Sequence, residues 1–317
     1  MVQILSTAKL RSEVRDQLIK TYPEVTFQFE RSMKEAESFL SEAEILLTYG
    51  EDLTVEHIEK ARHLKWIMVL SAGLERMPLE AIKERGILIT NARGIHSIPM
   101  AEYTISVMLQ VAREVKQVIA NESQGIWKKN VPMEEITGST IGVVGTGAIG
   151  CEIGRIAHAF RMKTLGVNRT GHDADHFDEI YKNEAITSML PRCDYVVGVL
   201  PSTTDTKHYF RRSHFEKMKQ SAVFINIGRG DTVNEQELLD SLNAGDLKHA
   251  VLDVFENEPL DPSHPFWGMD NVTVTPHHSA ISENYQPRAI EIFEYNLKKY
   301  LNECDDMKNV IDPNRGY

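Results

Sequence analysis

At 317 residues, 42% hydrophobic and 26% charged, the chain has an ordinary globular composition and the length for two domains with separate cores, which excludes disorder as the default. A formal net charge of -11 with a pI near 5.6 disfavours nucleic acid as a partner, because that role needs a surplus of Lys and Arg to displace counterions. No run approaches the roughly 18 apolar residues of a membrane span, and charged residues follow the opening Met1 to Ser6 too soon for a signal peptide, so a cytoplasmic location is expected.

Short apolar or β-branched runs at 2–5, 25–29, 45–47, 66–70 and 87–90 read as strands. Between them Leu10, Val14 and Leu18, and then Val55, Ile58 and Ala61, recur at helical spacing. Strand and helix alternate as in a parallel, doubly wound sheet. From Ile98 a longer amphipathic pattern places Ala101, Ile105, Met108, Leu109, Ala112 and Val115 on one side, which suits one helix bridging two domains. A second series of strands is expected at 141–144, 164–167, 195–200, 223–227, 250–254 and 272–275, six in all, as in a dinucleotide fold. Residues 287–301 return to helical periodicity through Ile290, Phe293, Leu297 and Leu301. Lying beyond the sixth strand, this helix is expected to pack back on the first domain and make it discontinuous. Cys151, Cys193 and Cys304 are too few and too scattered for a disulfide framework or a Cys-x-x-Cys metal site, and all three read as reduced.

Gly145-Thr146-Gly147-Ala148-Ile149-Gly150 matches G-x-G-x-x-G, a weak signal in isolation. Its context strengthens it. An apolar strand runs into Gly145, and a helical pattern over 149–160 leads to the next strand. In such a unit Gly145 permits the tight turn, Gly147 lets backbone amides approach a pyrophosphate, and Gly150 lets helix and strand pack closely. An acidic residue about 20 positions past the loop would favour NAD by binding the ribose hydroxyl. Here the chain has Asn168-Arg169-Thr170, chemistry suited to a 2′-phosphate, so NADP is the preferred cofactor and NAD the alternative. Asp173, Asp175, Asp178 and Glu179 follow closely and count against that preference. The stretch His172-Asp173-Ala174-Asp175-His176 reads as solvated surface rather than a metal site.

Three motifs fall where later strands end, the edge at which open α/β sheets bind ligands. Ile225-Asn226-Ile227-Gly228-Arg229-Gly230 offers a guanidinium between glycines, able to grip a carboxylate bidentately. Asp253 ends a strand, and Glu258 precedes Pro259. Thr275-Pro276-His277-His278-Ser279 places an imidazole after the last strand. Singly, each has a plain structural reading; together they make a set suited to proton and hydride chemistry.

With these motifs in view, the chain resembles the D-isomer-specific 2-hydroxyacid dehydrogenase family over nearly its whole length. The likeness is carried by Asn226 to Gly230, Glu237-Leu238-Leu239, Gly245, Ala250 and on to Leu260, Thr275-Pro276-His277, and Asp312-Pro313-Asn314-Arg315-Gly316-Tyr317. It implies an α/β fold of two doubly wound parallel-sheet domains. One is a Rossmann dinucleotide-binding domain over 97–285; the other is a smaller flavodoxin-like substrate domain built from 1–96 and 286–317. It implies Arg229 as the group that holds and polarises the substrate, His277 as acid/base and Glu258 as its orienting carboxylate. A carboxylate on the other ring nitrogen would fix the tautomer and raise the affinity for the proton. By the same likeness Asp253 would meet the nicotinamide carboxamide, Leu200, Pro201, Ser202 and Thr203 would line the adenosine side, and Ile227 would lie beside the cofactor ring. His278 is expected to stand outside the reaction.

The loop Ser71-Ala72-Gly73 resembles the one whose amides hold the substrate carboxylate. Many members carry arginine where this chain has Ser71, which favours a small 2-keto or 2-hydroxy acid of the glyoxylate or hydroxypyruvate type. No length is expected after Asp312 for the regulatory domain of the longer phosphoglycerate dehydrogenases. The resemblance implies a homodimer. A nucleotide-sensing binding protein resembling the C-terminal binding protein corepressors is the alternative, since such proteins keep the same motifs.

Overall fold

The structure is a computed structural model that describes residues 1–71, 73–74 and 76–312. The chain falls into two compact units, Met1–Ile95 with the segment from Ser282 onward, and His96–Ile281. The longer helices in chain order are α1 (Ser12–Thr21), α2 (Ser97–Ala112), α3 (Val115–Ser123), α4 (Ala148–Ala159), α5 (Glu235–Ala244) and α6 (Tyr285–Leu301).

The first unit holds β1 (Gln3–Ser6), β2 (Thr26–Phe29), β3 (Ile45–Thr48), β4 (Trp66–Val69) and β5 (Leu88–Asn91), in the order β2-β1-β3-β4-β5, with every pairing parallel. This is the flavodoxin-like order. Unbroken apolar strands such as Ile45–Thr48 and Trp66–Val69 are fully buried, as a parallel sheet covered on both faces requires. α6 supplies part of that cover. Its Ala289, Ile290, Phe293 and Leu297 are buried with Ile4, Leu18, Ile45 and Trp66. The Trp66 indole stacks on Phe293 at 5.6 Å and on Tyr300 at 5.5 Å between centroids, and its Nε1 donates to Thr90 Oγ1.

The second unit holds β6 (Thr140–Val144), β7 (Lys163–Asn168), β8 (Glu179–Lys182), β9 (Tyr195–Gly198), β10 (Val223–Asn226), β11 (His249–Leu252) and β12 (Val272–Val274). They form one parallel sheet in the order β12-β11-β10-β9-β6-β7-β8, which reverses between β6 and β9. Alternate residues along each strand enter two cores. Val144, Leu165, Val196 and Phe224 face one side, and Ile141, Val143, Val197 and Ile225 face the other, against α2 and α4.

Two features correct the sequence reading. The sheet has seven strands, because β8 adds a half-buried edge to β7. The expected single helix from Ile98 to Val115 is broken: α2 stops at Ala112, and α3 starts after Glu114, whose φ of 51° interrupts the helical run without a glycine. Among the described residues, no helix is long and apolar enough to cross a membrane, and no group of three or more His, Cys, Asp or Glu is placed to hold a metal.

Candidate active site

The loop between β6 and α4 lies where the strand order of the second sheet reverses, the position at which doubly wound sheets bind ligands. Gly145 has φ of 109°. A Cβ on Gly150 would stand 2.1 Å from the Gly145 carbonyl oxygen, so the helix can approach the turn only without a side chain there. Over Gly147 a Cβ would meet nothing within 4 Å, and no side chain caps α4 at that residue. The first amides of α4, from Ala148 and Ile149, therefore begin a helix whose positive dipole end is left for an anion. These residues fit the pyrophosphate of a dinucleotide.

Asn168, at the end of β7, organises the neighbouring loop. Its Nδ2 donates to Thr146 Oγ1 and to the His172 carbonyl, both at 2.9 Å, while its Oδ1 accepts from the amides of Thr170 (3.2 Å) and Gly171 (2.6 Å). Arg169 and Thr170 are exposed, and Arg169 has no hydrogen bond or ion pair among the described residues. Two of the nearby acids are occupied elsewhere. Asp178 accepts from the Thr164 amide at 2.8 Å, which holds its carboxyl below the usual range. Glu179 lies well below its ordinary range because it accepts from Arg192 and Lys163. After β9, Leu200 is half-buried while Pro201, Ser202 and Thr203 are exposed, with Ser202 Oγ donating to Asp231 at 2.6 Å. Ile227 is 1% exposed and packs in the core with Val197 and Ile225.

Arg229, Glu258 and His277 follow the adjacent strands β10, β11 and β12. The Arg229 loop is held by its own carbonyl, which accepts from Thr232 Oγ1 at 2.6 Å and Asn226 Nδ2 at 3.1 Å. Its guanidinium Nη1 donates to the Gly228 carbonyl at 2.9 Å. Gly230 docks this loop onto the next one: a Cβ there would lie 1.9 Å from the Phe255 carbonyl carbon and 2.5 Å from the Glu256 nitrogen. That second loop carries Glu258, whose Oε1 accepts from the Phe255 amide at 3.0 Å and whose Oε2 meets His277 Nδ1 at 2.8 Å. An ionised carboxylate only accepts, so Nδ1 carries the proton in that bond and Nε2 is the second ring position. The His277 side chain remains 46% exposed, so the imidazole is accessible on the protein surface.

Asp253 is fully buried, with Oδ1 accepting from Thr275 Oγ1 (2.6 Å) and the His278 amide (3.0 Å), and Oδ2 from the Ser279 amide (2.9 Å). It anchors the loop that carries His277. His278 turns its ring edge onto Tyr103 at 5.7 Å. In the first unit, the Ser71 hydroxyl lies 3.0 Å from the Gly73 carbonyl oxygen and 3.4 Å from that of Tyr49 and has one proton to donate to them, so it braces its own loop. Ala72 lies outside the described residues, as do Pro313 to Tyr317.

Three residues near this set went unread in the sequence. His96, at the start of α2, is held below the usual histidine range by burial and by the charge of Arg229. Glu235 accepts from the Glu256 amide at 2.7 Å, and burial raises its carboxyl. Tyr103 places its hydroxyl 2.7 Å from Thr275 Oγ1. None sits in a motif; the only available signal was a polar residue on an otherwise apolar helix face for Tyr103 and a helix-start position for the other two.

Comparison with known proteins identifies the family. The family model for the NAD binding domain of D-isomer specific 2-hydroxyacid dehydrogenases matches residues 105–279. The chain is 32% identical over 309 residues to D-3-phosphoglycerate dehydrogenase of Methanocaldococcus jannaschii, covering 95% of this chain and 58% of that protein. It thus spans little more than half the length of that relative. It is also 32% identical over 285 residues to glyoxylate/hydroxypyruvate reductase B of an Enterobacter species, covering 88% of this chain and 87% of the reductase. Among solved structures, a D-isomer specific 2-hydroxyacid dehydrogenase family protein from Aeromonas salmonicida is similar with a TM-score of 0.88 at 33% identity, over 98% of this chain and 99% of that one.

Proposed function

The chain belongs to the D-isomer-specific 2-hydroxyacid dehydrogenase family, and from that membership we propose that it is an NADPH-preferring reductase of a small 2-keto acid of the glyoxylate or hydroxypyruvate class. The observation that carries the reading is the 2.8 Å bond between His277 Nδ1 and Glu258, on a loop docked directly against that of Arg229. When bound, the nicotinamide dinucleotide supplies the hydride that reduces the carbonyl carbon. The remaining steps fall to this chain. Arg229 grips the substrate carboxylate and stabilises charge building on the carbonyl oxygen, a task for which a guanidinium stays protonated throughout. His277, held through Nδ1 by Glu258, gives the Nε2 proton to that oxygen and takes it back in the reverse direction. Glu258 also balances the imidazolium charge. With the dinucleotide bound, Asp253 would be the residue to hold the carboxamide, and Ile227 would pack beside the ring.

The NADPH preference draws its support from exposed, uncommitted Arg169 and from the occupation of Asp178 and Glu179 by other partners. The small-substrate preference draws on Ser71, whose hydroxyl braces its own loop and supplies no cation for a second anionic group. We assign the substrate-binding role to the first unit and the dinucleotide role to the second. A homodimer fits the exposed apolar surface of α3 and the segment after it, where Ile119 is 57% and Trp127 89% exposed. Sedimentation is expected to give twice the 36.0 kDa chain mass.

The test is a panel of 2-keto acids with NADPH and NADH. Turnover of glyoxylate or hydroxypyruvate is expected, with His277→Ala losing about 10²- to 10⁴-fold in kcat while still binding nucleotide. Near-normal turnover by that variant would remove His277 from its role. Nucleotide binding with silence across the whole panel would favour the sensor reading instead.

A further inference from the structure

We propose that Tyr103 and Thr275 are positioning residues for His277, linked in a directional hydrogen-bond chain that ends on the Asp253 carboxylate. The inference rests on the reading of His277 as acid/base. It starts from the backbone: His277 has φ of 50°, a left-handed conformation that a residue with a Cβ holds only where its surroundings enforce it. Something must over-determine that conformation. The His277 amide donates to the Asp253 carbonyl at 2.8 Å, and the next two amides, His278 and Ser279, donate to the two Asp253 carboxylate oxygens at 3.0 and 2.9 Å. The Thr275 hydroxyl donates to Oδ1 at 2.6 Å. The loop is therefore gathered on one buried residue from both sides of the imidazole.

The direction of the chain follows from proton count. Thr275 has one hydroxyl proton, and an ionised carboxylate can only accept it. The 2.7 Å contact between Tyr103 Oη and Thr275 Oγ1 must then have the phenol as donor. Burial and the charge of Asp253 both push the Tyr103 phenol up, so it keeps the proton this arrangement needs. The Tyr103 ring also receives the His278 ring at 78°. A residue of α2, 172 positions before Thr275, thus fixes which way the threonine hydroxyl points. With that orientation fixed, Oδ1 is held toward the His278 amide and the imidazole is aimed by its own backbone as well as by Glu258. A purely structural network would affect stability when cut; a positioning network also affects the imidazole.

The experiment compares Tyr103→Phe, Thr275→Val and Thr275→Ser in the full chain. It reads kcat and KM for the keto acid, Kd for NADPH, and the His277 ring nitrogens by NMR in protein labelled with ¹⁵N-histidine, assigned by difference from His277→Ala. Tyr103→Phe keeps the ring and loses only the hydroxyl, and is expected to lower kcat about tenfold; Thr275→Val about a hundredfold. NADPH affinity should hold, both variants should move the His277 nitrogen signals, and Thr275→Ser should restore kcat and signals together. Tyr103→Phe and Thr275→Val with wild-type kcat and unmoved His277 signals would overturn the proposal, as would Thr275→Ser behaving like Thr275→Val. If the wild type reduces no keto acid, the functional reading fails, and the NMR signals still decide whether Tyr103 and Thr275 position His277.

Discussion

Replacing Gly230 by alanine should separate the Arg229 loop from the Glu258 loop. The added Cβ would lie 1.9 Å from the Phe255 carbonyl carbon, 2.0 Å from its oxygen and 2.5 Å from the Glu256 nitrogen. All three are backbone atoms and cannot rotate away as a side chain would. Carbon atoms in contact sit near 3.5 Å, so the loops must part by about 1 Å or more. Overpacking of this kind costs about 1–3 kcal/mol of stability, and a displacement of about 1 Å between reacting groups costs about a hundredfold in rate. The Gly145 to Gly150 turn is untouched, so nucleotide affinity should stay near that of the wild type. The assay is kcat/KM for the preferred keto acid, alongside NADPH titration and a thermal melt, at a temperature where the variant is folded. A folded Gly230→Ala with wild-type kcat/KM would refute the idea that this close approach sets the distance between Arg229 and the His277–Glu258 pair.

Gly147→Ala is the complementary case: its Cβ meets nothing within 4 Å, so the melting temperature should not change, whereas KM for NADPH should rise if a pyrophosphate lies over the first turn of α4. Arg169→Asp should shift the NADPH/NADH ratio of kcat/KM toward NADH by roughly 10- to 100-fold, the worth of a charged hydrogen bond, and an unchanged ratio would remove Arg169 from the phosphate site. His249, pushed down from 6.5 to about 4 by burial and then by Lys116 and Lys248, stays neutral in the fold where the unfolded chain would protonate. Its contribution to stability is full above about pH 6.5 and is lost as pH falls toward 4, by up to about 3 kcal/mol. His249→Gln, which can keep the bond to Thr273, should flatten that acid limb in urea melts at pH 7 and 4.5.

The strands of both sheets were legible because parallel strands buried on two faces are written as unbroken apolar runs, as in Ile45–Thr48 and Trp66–Val69. β8 was not, since Glu-Ile-Tyr-Lys at a half-buried edge has no such run and follows a charged loop. The break at Glu114 was hidden for a different reason: the left-handed residue there is not a glycine or asparagine, so no turn signal marks it. Arg229, Glu258 and His277 could be picked out because each follows a readable strand at the ligand-binding edge. Tyr103 could not, because its partner Thr275 is reached only through the packing of α2 against the sheet.

The first unit closes only when α6 lies down on Trp66, yet 186 residues, His96–Ile281, intervene between its two pieces. On a ribosome adding about 5–20 residues per second, the indole face that Phe293 and Tyr300 will cover waits about 10–40 s for its partners. During that interval the nascent five-stranded sheet presents an uncovered aromatic surface, while the second unit is continuous in sequence and waits for no later segment. Synthesis order therefore favours maturation of the inserted unit first, and makes the early first piece the segment most dependent on holding by a chaperone.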